Sequence, residues 1–304
     1  MTVLTTVMET EKLTKSYGPF RGIVDVDLAV EGGEIFGFLG PNGAGKTTTI
    51  RVLLDLIRPS SGHARVFGIE SSADPVAIHR RIGYLPGEFT LYDRLTGAET
   101  IEYFANLRGG VDRTYSTALI ERLGLDPSRR FREYSKGNKQ KVGLICALQH
   151  RPELLILDEP TAGLDPLVQQ TFNQLLFEAR AEGRTVFLSS HIISEVERTC
   201  DRVAIIREGR IVRVDTIGAL RELSAHQVEL RFKGDPPLET FAAMAGVSQL
   251  VREGPSLRML VAGPIGPIVS AASRYELLDF VSREPSLEEV FLSEYGTVAA
   301  SDDR

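Results

Sequence analysis

Eight consecutive residues, Gly40-Pro41-Asn42-Gly43-Ala44-Gly45-Lys46-Thr47, follow the pattern G-x-x-x-x-G-K-[ST]. Glycines at these places let backbone N–H groups turn inward around phosphate oxygens, and a helix that follows adds its positive N-terminus. Lys46 then reaches the β- and γ-phosphates, and Thr47 can hold Mg²⁺. Further along, the apolar run Leu154-Leu155-Ile156-Leu157 ends in two adjacent carboxylates, Asp158 and Glu159. Asp158 is placed to hold Mg²⁺ through water, and Glu159, on the other side of the chain, to polarise an attacking water. Plainer readings are a glycine-rich turn and a strand-end turn before Pro160. The strand, glycine loop and helix in succession favour phosphate chemistry.

Such residues need strands that end together. Glu34 to Leu39 is a short apolar run that stops at Gly40, and a helical pattern runs from Thr48 to Ile57. The runs Leu154 to Leu157 and Thr185 to Leu188 have the continuous apolar form of buried parallel strands. Met8 to Val30 alternates in short runs beside a turn signal at Gly32-Gly33, which reads as antiparallel strands. Between residues 97 and 149 the spacing turns helical, as in Ile101, Phe104, Ala105 and Leu107, and the strands are divided by a helical insertion. After Leu223 the chain restarts as strand, helix, two strands, helix, strand. That βαββαβ order predicts a small α+β domain of ferredoxin-like type over residues 223–304, behind a first domain over residues 1–222.

Residues 8 to 222 resemble the nucleotide-binding subunit of an ATP-binding cassette (ABC) transporter. The resemblance implies an α/β fold, the P-loop NTPase cassette, with a mixed sheet core, an antiparallel β subdomain and a helical insertion. It implies ATP and Mg²⁺ as ligands. Asn42, Gly43, Ala44, Gly45, Lys46, Thr47 and Thr48 would contact phosphate, with Thr47 and Asp158 at the metal and Glu159 as the base. Tyr17 is assigned to adenine stacking, His191 to the γ-phosphate switch and Asp165 to a loop that communicates across a dimer. Plainer roles stand beside these. Tyr17 suits a strand end, Asp165 before Pro166 is a good helix N-cap, and a lone histidine is usually structural. In Tyr134-Ser135-Lys136-Gly137-Asn138-Lys139-Gln140-Lys141, Ser135 and Gly137 keep the residue types of the family's signature loop, which contacts the nucleotide of the opposite subunit. A second copy of the chain is therefore implied, closing as an ATP-sandwich dimer.

Two positions depart from the family pattern. After Ile82-Gly83-Tyr84-Leu85-Pro86 a glutamine normally touches Mg²⁺ and the attacking water, whereas here Gly87 and Glu88 follow. The sensing role passes to Glu88 or to water. Lys136 replaces a signature glycine, and Arg129, Arg130, Arg132, Lys139 and Lys141 crowd the same stretch. Such a run is a solvated helix face or a site for membrane phosphate head groups.

Across the chain, 35 Lys+Arg against 41 Asp+Glu give a net charge of −6, with 42% hydrophobic residues. Intrinsic disorder and a global positive field for nucleic acid are excluded. Residues 1–221 balance at 28 of each sign, and residues 222–304 carry 7 basic and 13 acidic residues. The two cysteines, Cys146 and Cys200, form no CxxC pair, which fits a reducing compartment. No stretch is long and apolar enough to span a bilayer, so the resemblance implies a separate membrane-spanning permease subunit of about six helices. The expected location is the cytoplasmic face of the cell membrane.

Phe89 to Phe104, with Tyr92 and Tyr103, lies where family members dock that permease, or else belongs to the core of the insertion. Glu284 to Leu292 resembles the closing motif of drug and antibiotic efflux ATPases, and it suits a short helix capped by Ser286 with Glu289 in a capping box. The leading expectation is an ATPase driving efflux of a hydrophobic compound. A cell-envelope lipid exporter is an alternative, as is a cassette acting on ribosomes or nucleic acid. The last lacks its usual second G-x-x-x-x-G-K, and no nucleic acid partner is expected. A nucleotide-gated regulator without turnover is disfavoured by Glu159.

Overall fold

A computed structural model describes residues 5–18, 20–222 and 226–283. The closing segment from Glu284, with its expected cap at Ser286, lies outside the described residues. The chain divides into two compact units, Met1–Asp215 and Thr216–Arg304. The division comes before the helix Ile217–Glu222, ahead of the boundary at 222/223 read from the sequence.

The first unit holds two sheets. In the larger, the strands run in the order Arg210–Thr216, Arg202–Arg207, Ile35–Leu39, Thr185–Ser190, Leu154–Asp158 and Ile82–Leu85. The last five are mutually parallel. Every residue of Ile35–Leu39, Leu154–Asp158 and Thr185–Ser190 is buried, which is why these segments read as unbroken apolar runs rather than alternating ones. Phe36 stacks on Phe187 at 6.0 Å between ring centroids. Leu39 pairs with Ser190, and Asp158 with Ser189, so three strands end side by side. The chain leaving each of those ends starts from the same edge, the place where open α/β sheets gather their ligands.

The second sheet pairs Phe20–Glu31, Thr6–Tyr17, Ser61–Val66 and Ile69–Glu70 antiparallel, as the alternation in residues 8–30 predicts. The helix after the glycine loop runs over Lys46–Leu53, shorter than the expected Thr48 to Ile57. It stops because Asp55 takes a left-handed φ of 53°, a torsion that α-helix cannot continue. The insertion contains helices Gly97–Leu107, Arg113–Arg122 and Lys136–Leu148. The first starts with a reciprocal capping box between Thr96 and Glu99, which satisfies donors that a helix start otherwise leaves open.

The second unit has the order strand His226–Phe232, helix Leu238–Ala242, strands Val247–Glu253 and Ser256–Val261, helix Gly266–Ala272, strand Leu277–Arg283. Its antiparallel sheet places the first and third strands in the middle. Val228, Leu230, Phe232, Phe241, Met259 and Ile268 form its own core. The last strand begins at Leu277, after Tyr275 N–H is drawn back to Ala272 O at the helix end.

Burial pushes the His150 imidazole down to about 4, with Arg108 and Arg184 adding repulsion. Its Nε2 lies 3.1 Å from Ile82 O. The unfolded chain binds a proton near pH 6.5 that the folded one refuses until about pH 4, so stability falls as pH drops through that window. The thermal midpoint measured against pH should show this loss, and His150→Gln should flatten the curve there relative to the parent.

Candidate functional site

The glycine loop depends on two torsions. Gly43 has φ 80° and Gly45 φ 112°, both in the region that L side chains avoid. A Cβ on Gly45 would also stand 2.6 Å from Ile23 Cγ2. The loop borders a cavity of about 170 Å³ lined by Gly22, Asn42, Gly43, Gly45, Lys46, Thr47, Thr48 and Glu159. Lys46 is buried at 5% exposure, and its ammonium donates to Gly40 O at 2.6 Å and Pro41 O at 3.2 Å. The same ammonium lies 3.1 Å from Glu159 Oε1. A buried cation needs such partners, and these hold it at the mouth of the cavity.

Asp158 and Glu159 diverge at the end of their strand. Thr47 Oγ1 donates to Asp158 Oδ2 at 2.7 Å, and Ser189 Oγ donates to Asp158 Oδ1. Ser189 Oγ also accepts from Glu159 N–H at 3.1 Å. Glu159 has φ 50°, a torsion unusual for a non-glycine residue and doubly so before proline. That turn carries its carboxylate to Lys46 on one oxygen and to His191 Nδ1 on the other, at 2.8 Å. Gln140 holds the turn from behind, donating to Glu159 O at 3.3 Å and Pro160 O at 3.0 Å. Burial, then the charge of Asp158, pushes the Tyr84 phenol up to about 12 and keeps it neutral.

Lys46, Thr47, Asp158, Glu159 and His191 thus meet at one place, with Asn42, Gly43, Gly45 and Thr48 along the cavity. The Ala44 amide instead bonds Pro41 O within the loop. Tyr17 is exposed and does not line the cavity, although a Cβ on the lining residue Gly22 would stand 3.3 Å from its ring. Asp165 caps helix Pro166–Ala181 through Leu167 and Val168 N–H, the plainer of its two expected roles. Ser135 caps helix Lys136–Leu148, and Ser135, Lys136 and Gly137 are absent from the described lining of the phosphate cavity. Gly137 packs on the loop after Pro160, where a Cβ would stand 2.4 Å from Gly163 O.

At the departure from the family pattern, Gly87 rather than Glu88 adjoins the metal carboxylate. A Cβ on Gly87 would lie 3.2 Å from Asp158 Oδ2, while Glu88 is exposed. Ser189 and Gln140 were not identified from the sequence, because a serine in a strand and a glutamine in a helix carry no distinctive spacing.

A hydroxyl and a carboxylate side by side at the phosphate loop are hard oxygen donors of the kind Mg²⁺ takes together with phosphate oxygens and water. The residues fit that ion. Thr47 and Asp158 would hold it, and when bound it would neutralise charge on the phosphate oxygens. Lys46 provides a second, fixed positive charge. Glu159 can take a proton from a water, with His191 steadying its second oxygen. Ser189 fixes both carboxyl-bearing residues relative to each other.

A family model described as ABC transporter matches residues 23–162. A bacitracin transport ATP-binding protein of Enterococcus faecalis is 38% identical over 232 residues, covering 75% of this chain and 75% of that protein. A probable multidrug ABC transporter ATP-binding protein of Escherichia coli is 36% identical over 77% of this chain and 40% of its own length. A solved structure of the ATP-binding subunit of an ABC transporter superposes with a TM-score of 0.66 at 32% identity, over 71% of this chain and 92% of the other.

Two substitutions separate binding from chemistry. Lys46→Ala should abolish tight ATP binding in a nucleotide-binding assay. Glu159→Gln should keep that binding while lowering turnover by about 100-fold or more, the scale of a general base. Normal turnover in Glu159→Gln would remove it from that role.

Proposed function

Because this chain belongs to the ATP-binding subunits of ABC transporters, whose ATP hydrolysis is coupled to transport, we propose that it powers an exporter of hydrophobic compounds, of drug or antibiotic type. The observation that carries the ATPase reading is the meeting of Lys46, Thr47, Asp158, Glu159 and His191 around one cavity. The export reading is supported by the bacitracin and multidrug relatives and by the closing motif at residues 284–292.

Two copies would close on two ATP molecules, each copy offering Ser135, Lys136 and Gly137 to the nucleotide held by the other. Closing on ATP and reopening after hydrolysis is a two-state element able to work on whatever is docked to it. Among the described residues, no helix is long and apolar enough to cross a membrane. The pathway would belong to a separate permease, and the chain would lie at the inner membrane face through that partner.

The docking place would be the groove beside the insertion. A cavity of about 340 Å³ is lined there by Leu54, Phe89, Leu91, Phe104, Arg108 and Cys146, among others. Tyr92 and Tyr103 pack edge-on at 5.4 Å and are 55% and 39% exposed. Exposed tyrosines at an apolar groove suit a protein partner better than the insertion's own core.

Purification from the native membrane should bring down a polytopic protein of about six helices, the size expected from the family resemblance. Copurifying ribosomes or nucleic acid would overturn the export reading. Glu88 is the side chain proposed to replace the missing glutamine, so Glu88→Ala should lower turnover more than ATP affinity. No change in either would leave the role to water beside Gly87.

A further inference from the structure

Glu159 leaves its strand at φ 50° with Pro160 next in the chain, a torsion that a non-glycine residue keeps only where its surroundings enforce it. Three residues do so. The neighbouring strand takes Glu159 N–H at Ser189 O and Ser189 Oγ, 3.2 and 3.1 Å away. Ala162, within the turn itself, donates its N–H to Glu159 O at 3.2 Å. Gln140 Nε2 donates to Glu159 O at 3.3 Å and to Pro160 O at 3.0 Å. Among the described residues, Pro160 O receives no other hydrogen bond.

Of the three, only Gln140 comes from the helical insertion. It is 4% exposed and lies in the second turn of helix Lys136–Leu148. That helix is seated closely on either side of it. A Cβ on Gly137 would stand 2.4 Å from Gly163 O, and one on Gly143 2.6 Å from both Leu85 Cδ1 and Phe89 Cζ. The amide at 140 is therefore held at a fixed reach from the turn at 159. The phosphate and metal side of the site is anchored elsewhere: Asp158 by Thr47 and Ser189, and Lys46 by Gly40 O and Pro41 O. None of those bonds passes through Gln140.

We propose that Gln140 is a positioning residue for Glu159. Its amide ties the carbonyl of Glu159 and the next carbonyl to the insertion, and this fixes the direction in which the carboxylate leaves the turn. Without the amide, the groups that hold phosphate and metal keep their own anchors, while the turn is free to relax and swing the carboxylate away from the attacking water. A glutamine that merely satisfied two carbonyls would stabilise the fold without any preference for the base. The inference rests on the reading of Glu159 as the base.

The two roles separate in kinetics. Gln140→Met keeps the length and burial of the side chain and removes both donors. Its ATP affinity should stay within about twofold of the parent while turnover falls by roughly 10- to 100-fold, the scale of a displaced catalytic group. In a Glu159→Gln background the same substitution should cause no further loss, because no base remains to be positioned. Gln140→Glu adds a pH readout. Its carboxylate repels the two carbonyl oxygens when ionised and donates to one of them when protonated, so turnover relative to the parent should recover as the pH is lowered. Full turnover in Gln140→Met, an equal loss with and without Glu159, a parallel loss of ATP affinity, or a pH-independent ratio in Gln140→Glu would each overturn the proposal. Normal turnover in Glu159→Gln alone would remove the base itself, and the proposal with it, whatever Gln140→Met does.

Discussion

The ion pair between Lys46 and Glu159, 3.1 Å long and largely shielded from water, joins the group proposed to grip phosphate to the group proposed to activate the attacking water. Both carboxylate oxygens are engaged, one by Lys46 and the other by His191. Any phosphate that draws on Lys46 competes with Glu159 for the same ammonium. The proposed base would therefore be released from its cation to the degree that substrate takes the cation over. Substrate binding and the freeing of the base are linked through a single Nζ. The rest of the first unit can be understood as what holds that atom in place: buried parallel strands that end together, a loop whose glycines allow the turn, and Ser189 fixing two acidic neighbours.

Legibility followed residue type. The loop from Gly40 to Thr47 was readable because only glycine takes the torsions at Gly43 and Gly45 without strain. The strand ends were readable because segments buried on both faces lose their alternation. Helix limits were less so: Leu54 and Ile57 continue the apolar pattern past Leu53, yet Asp55 turns the chain aside. Ser189 and Gln140 escaped notice because their roles come from where neighbouring strands and helices put them. Gly87 was seen as a missing glutamine, but its closeness to Asp158 needed coordinates. In the second unit the βαββαβ order was readable because one face of its sheet packs on helices while the other alternates outward.

Charge also separates along the chain. Residues 1–221 are balanced and the whole net charge of −6 lies beyond them. Within that remainder, residues 222–283 contain 6 basic and 7 acidic residues, and residues 284–304 contain 1 and 6. The acidity belongs to the last stretch of chain rather than to the sheet before it.

Glu159 sits at φ 50° immediately before Pro160. Glycine would take that torsion with less strain, and a non-glycine residue held there costs on the order of 1 kcal/mol. The chain therefore accepts backbone strain at the position of the proposed base. Glycine at 159 would relieve that strain but leave the buried Lys46 ammonium without its carboxylate, so torsion and ion pair pull stability in opposite directions. Thermal stability alone therefore says little about position 159, and a screen that rewards it should hold that position constant.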